Sequence, residues 1–107
     1  MPAGFSVVYV TSPRGRASQR IAAALLKKRL AACVNIVPDV RSMYWWKGKI
    51  ESAGEALLMI KTRTSLVKKV IDLVRKTHPY DVPEVIALPF ERGNKPYLKW
   101  LFEETSK

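Results

Sequence analysis

The spacing of apolar residues changes several times along the chain, and each change marks an element. Phe5 to Val10 is a short apolar run with β-branched and aromatic residues, which suits a buried strand. Thr11-Ser12-Pro13 then reads as a helix start, a hydroxyl cap followed by proline in the first turn. Ala17, Ile21, Ala24 and Leu25 share one face of that helix, Arg16, Arg20 and Lys27 lie elsewhere, and the helix is expected to reach about Arg29. Ala31 to Val37 is a second apolar strand. Pro38-Asp39 interrupts it, as proline does at a bulge or an exposed edge. The strand resumes as Val40 to Trp46, reverses at Lys47-Gly48, and returns through Ile50 toward Ala56 to Lys61 as a long hairpin. Ser52-Ala53-Gly54 weakens the returning arm and predicts another bulge there. Thr64-Ser65 caps a second helix carrying Leu66, Val67, Val70, Ile71 and Val74, which His78-Pro79 ends because the residue before a proline avoids helical geometry. Val82 to Leu88 is a further strand, and Asn94-Lys95-Pro96 caps a last helix with Tyr97, Leu98, Trp100 and Leu101.

The order is β-α-β, hairpin, β-α-β and a terminal helix, and the two halves echo each other. Val7-Val8-Tyr9-Val10-Thr11-Ser12 resembles Leu57-Leu58-Met59-Ile60-Lys61-Thr62, and each leads to a helix. Two right-handed crossovers joined by a hairpin predict an α+β, ferredoxin-like sandwich, an antiparallel four-stranded sheet with both helices on one face. The hairpin does not suit a lone subunit. Val40, Tyr44 and Trp46 point one way and Met43 and Trp45 the other, so the ribbon is apolar on both sides where one should be polar. Such patches mark an interface, and sheet edges need partners of their own.

At 107 residues the chain allows one domain, spanning 1–107, with a modest core. A hydrophobic share of 48% is globular composition, and no apolar run approaches the roughly 20 residues of a membrane span. Met1-Pro2-Ala3-Gly4 leads straight into the first strand without a signal or transit peptide, which predicts a cytoplasmic protein. A chain freed of its leader would begin the same way, so an organelle such as the chloroplast is the alternative. The single cysteine, Cys33, excludes an internal disulfide. The formal charge of +10 attracts polyanions without regard to sequence. Specific RNA recognition is not expected, because Ala56-Leu57-Leu58-Met59-Ile60 lacks the stacking aromatics such domains place on a central strand.

Four segments together resemble the CutA family: Lys28 to Pro38 (KRLAACVNIVP), Tyr44 to Ile50 (YWWKGKI), Lys61-Thr62, and His78 to Pro89 (HPYDVPEVIALP). Gly93-Asn94 and Tyr97-Leu98-Lys99-Trp100 complete the match, which covers nearly the whole chain from about Val7. The resemblance implies a homotrimer with sheets joined edge to edge around a threefold axis and clefts between subunits. It further implies a link to divalent-cation tolerance and copper, an architecture similar to PII-type signalling proteins, and in animal relatives the anchoring of another protein. It implies no catalytic activity.

Candidate sites follow. His78, the only histidine, either serves the end of its helix or ligates copper or zinc with donors from a neighbouring chain. Cys33 packs as core or, as a thiolate, suits copper(I). Some bacterial relatives carry a histidine and a cysteine where this chain has Thr77 and Ser12. Lys61, Tyr80 and Glu84 could form a cleft for a small anion or metabolite, or an interchain salt bridge beneath a phenol. Tyr44, Trp45 and Trp46 are expected at the subunit interface. Ser12, Arg14 and Arg16 at a helix start form a candidate anion site, without the glycine pattern of a phosphate loop. One histidine and one cysteine, with no suggestive pair of acids, give an enzyme little to work with.

Overall fold

The computed structural model describes residues 4–107; the start read at Met1 to Ala3 lies outside the described residues. The described residues form four strands and three α-helices. In chain order they are β1 (Phe5–Ser12), α1 (Arg16–Lys27), β2 (Cys33–Trp46), β3 (Lys49–Arg63), α2 (Val67–Thr77), β4 (Val85–Phe90) and α3 (Lys95–Glu104). The sheet runs β2-β3-β1-β4 with every pair antiparallel, which is the expected ferredoxin-like order.

Alternation along the strands builds two unlike faces. Val8 and Val10 of β1 stand beside Leu58 and Ile60 of β3, and α1 and α2 close over them with Ile21, Leu25, Val70 and Val74. All eight are at most 1% exposed. The opposite face carries Val7, Tyr9, Leu57, Met59, Ile86 and Leu88, and only its far end is covered. There Phe5 stacks on Phe90 at 6.0 Å, beside Leu98 and Leu101 of α3.

Several boundaries differ from those read in the sequence. Ser12 ends β1 and does not cap α1: it is buried, its Oγ donates to the Pro13 carbonyl at 2.9 Å, and Gly15 takes the cap position at φ 76°. Helix α1 closes with a Schellman pair, Leu30 N to Leu25 O and Arg29 N to Leu26 O, which puts Arg29 in the left-handed region at φ 59°. Its guanidinium meets Glu104 at 2.7 Å, tying that turn to the end of α3. A 3-10 turn at Thr64–Leu66 precedes α2, without the side-chain cap read at Thr64-Ser65. β4 begins at Val85, three residues later than Val82, because Pro83 lacks an N–H for the ladder and Asp81 to Glu84 remain loop.

The hairpin gives the molecule a long axis of 46 Å. Lys47 at φ 51° and Gly48 at φ 80° form its two-residue turn, in which both positions have positive φ. The bulge read at Pro38-Asp39 is present: the register steps from Val37↔Leu57 to Val40↔Glu55, two residues on β2 against one on β3. The bulge read at Ser52-Ala53-Gly54 is absent, since all three pair regularly with Met43, Ser42 and Arg41. Gly54 has a different role, because a Cβ there would lie 2.4 Å from the Arg14 guanidinium. The glycine leaves room for Arg14 to cross the ribbon to Asp39 at 2.8 Å.

Candidate functional site

The bulge decides what the base of the hairpin presents. Before it, the odd residues of β2 share the open face with Lys61, Met59 and Leu57; after it, the even residues do. Tyr44 and Trp46 therefore join Glu55 on that face, while Met43 and Trp45 turn to the other side. The loop leaving α2 folds over the same place. Helix α2 stops at His78, which is extended at ψ 137° ahead of Pro79. His78 is 7% exposed and both of its ring nitrogens are engaged. Nδ1 accepts from the Tyr80 N–H at 3.1 Å, so Nε2 carries the proton and donates to the Thr11 carbonyl at 2.7 Å. Tyr80 then reaches over with its ring 4.7 Å from His78 and donates its hydroxyl to Glu55 Oε2 at 3.0 Å. Burial, then the hydrogen bond and charge of Glu55, push the phenol up to about 12.

Between this loop and the hairpin lies a cavity of about 590 Å³. Its walls include Tyr44, Trp46 and Tyr80 and three carboxylates, Glu55, Asp81 and Glu84. Thr11 donates a long bond of 3.5 Å to Glu84. Of the trio Lys61, Tyr80 and Glu84, the subunit assembles only the last two. Lys61 lies six residues along β3 from Glu55, roughly 20 Å at strand rise, and donates to Asn35 Oδ1. Its cross-strand neighbour is Cys33, so the thiol and His78 stand at opposite ends of the sheet. Among the described residues no three His, Cys, Asp or Glu side chains converge as metal ligands. Ser12, Arg14 and Arg16 do not converge either: Ser12 is buried, Arg14 is paired with Asp39, and Arg16 opens α1 in solvent.

Sequence reasoning misses Glu55 and Asp81. Glu55 does carry a signal, a charge that falls in the same alternation as its apolar neighbours Leu57 and Met59 and is nonetheless buried. Asp81 carries none, because its position depends on how the loop folds.

The family model described as CutA1 divalent ion tolerance protein matches residues 6–104. Protein CutA of Homo sapiens is 52% identical over 105 residues, covering 98% of this chain and 59% of that protein. Protein CutA 1, chloroplastic, of Oryza sativa subsp. japonica is 52% identical over 99 residues, covering 92% and 56%. The chain thus spans little more than half the length of these relatives. The crystal structure of CutA1 from Oryza sativa superposes with a TM-score of 0.93 at 50% identity, covering 95% of this chain and 94% of that one. The divalent cation tolerance protein of Thermus thermophilus gives 0.91 at 46% identity, covering 94% and 97%.

Proposed function

This chain belongs to the CutA1 divalent ion tolerance family, and on that footing we propose that it works as a homotrimer that binds divalent cations, copper among them, without catalysing a reaction. The hairpin carries this reading. Met43 is 69% and Trp45 72% exposed on one side, and Trp46 is 54% exposed on the other. A ribbon this apolar on both sides gains by being sandwiched between sister subunits, and Ile86 and Leu88 on the open sheet face, about half exposed, gain from the same cover. Metal binding and assembly are linked here. His78 and Cys33 are far apart within one subunit, so they share an ion only across a subunit boundary, and the ion must displace a hydrogen bond from the imidazole. The working compartment in this reading is the cytoplasm. An organelle is the alternative, in line with the rice relative named chloroplastic.

The test combines intact-assembly mass determination with anaerobic copper(I) and copper(II) titration. A trimer whose copper affinity falls in His78→Ala or Cys33→Ser supports the reading. A stable monomer at micromolar concentration removes it, and copper affinity unchanged in both variants removes the metal assignment.

A second reading, a PII-like module whose cleft ligand selects a docked protein, draws on the cavity beneath Tyr80. Nucleic acid enters neither reading except as a sequence-blind polyanion.

A further inference from the structure

The cavity at the hairpin base has the opposite sign to the molecule around it. The chain has 19 Lys and Arg against 9 Asp and Glu, yet three of the nine acids line this one cavity and no Lys or Arg does. None of the three is in an ion pair among the described residues. Glu55 is the telling member. It is 5% exposed, Tyr80 occupies only its Oε2, and Oε1 has no hydrogen-bond partner among the described residues. Oε1 therefore keeps its contact with solvent at the cavity, and a carboxylate placed there with no cation beside it in the subunit favours a positive group in the cavity.

The spacing of the acids selects the kind of cation. Glu55 lies on β3 and Glu84 just before β4, with β1 between them, so their backbones stand on the order of 10 Å apart at ordinary strand spacing. Asp81 also borders a neighbouring depression with Arg75 and Lys76, which leaves Glu55 and Glu84 as the two acids committed to the cavity. A metal ion needs its oxygens within about 2.0–2.6 Å of one centre, and here no three acids converge among the described residues. Two ammonium groups joined by methylenes satisfy both carboxylates at once. The aromatic walls of Tyr44, Trp46 and Tyr80 suit such a ligand, since their faces attract the ammonium ends and pack against the alkyl linker.

We propose that this cavity binds an aliphatic polyamine cation, with Glu55 holding one ammonium group, Glu84 another, and Tyr44, Trp46 and Tyr80 enclosing the chain between them. The proposal gives a ligand class to the cleft of the second reading and rests on that reading, not on the copper assignment.

The test is calorimetric titration of the intact protein with spermidine and with magnesium, alongside the assembly mass of each sample. Loose attraction of a polycation to a +10 chain is disfavoured, so a saturable isotherm reports the local site. One spermidine per chain is expected, weakened about tenfold in Glu55→Gln and in Glu84→Gln by loss of a charge-assisted bond. Glu91→Gln, outside the cavity, should leave binding unchanged. Glu84 is on the exposed rim, so its variant remains informative if Glu55→Gln unfolds. Absence of saturable spermidine binding, binding in both cavity variants as tight as in the unsubstituted chain, or tighter magnesium binding lost in the same variants overturns the proposal. A trimer without spermidine binding sinks this inference alone, whereas a monomer that binds it sinks only the assembly reading.

Discussion

The two faces of the sheet are made from the same strands, yet one is a core and the other is not. On the helix-covered face Val8, Val10, Leu58 and Ile60 are fully buried. One residue away along the same strands, Val7, Tyr9 and Met59 remain partly exposed, and Ile86 and Leu88 on β4 are about half exposed. Hydrophobicity hardly distinguishes the two sets. What differs is cover: α1 and α2 lie on one face, while α3 reaches only the Phe5–Phe90 end of the other. An apolar surface built but not covered within the subunit is the one the proposed assembly would cover.

The largest effect that would sharpen this contrast is on the covered face. Leu58→Ala should cost about 3 kcal/mol of subunit stability in denaturant unfolding, through lost burial and an unfilled cavity. Its neighbour Met59→Ala should cost well under half as much in a dissociated subunit and show its effect mainly in the assembly mass. Equal losses would break the distinction between the faces. Next comes Trp45→Glu at the hairpin. Removing an exposed aromatic anchor should weaken subunit association by about 2 kcal/mol or more, read as dissociation on dilution, with the circular dichroism of the subunit retained.

The smallest effect concerns Tyr80. A phenol raised from 10.0 to about 12 holds its proton more tightly in the folded chain than in the unfolded one. Its contribution to stability is whole below pH 10 and is lost as pH climbs from there through about 12. The near-ultraviolet difference between wild type and Tyr80→Phe should titrate near 12, moving back toward 10 in a Glu55→Gln background. An unshifted midpoint would remove the Tyr80–Glu55 bond from the site.

Element order, the hairpin reversal at Lys47-Gly48 and the bulge at Pro38-Asp39 are legible in the sequence, because each depends on local chemistry: period, positive φ and a missing N–H. The two-sided hairpin is legible for the same reason, since alternation alone separates Trp45 from Trp46. The start of α1 is not, because Ser12 has the chemistry of a cap, whereas pairing with Ala56 keeps it in the strand. Gly54 misleads as a bulge signal because that glycine serves a distant arginine and not its own strand. The site is only half visible. Tyr80 and Glu84 come from one short loop, but whether Lys61 joins them is decided by strand register, which no local pattern states. Glu55 becomes meaningful only once Tyr80 is known to lie over it.

The irregular step at Pro38-Asp39 has a consequence beyond shape. It acts as a parity switch, because it absorbs one more residue on β2 than on β3. Unbroken pairing beyond Val37 would set Asp39 opposite Glu55 and put Met43 and Trp45 on the strand face of Glu55 in place of Tyr44 and Trp46. Deleting Asp39 would straighten the strand yet keep Val40 opposite Glu55, so the wall would survive. Straightening it with every residue retained would invert the whole tip of the ribbon. The joint thus fixes which aromatics meet the acids without itself touching either.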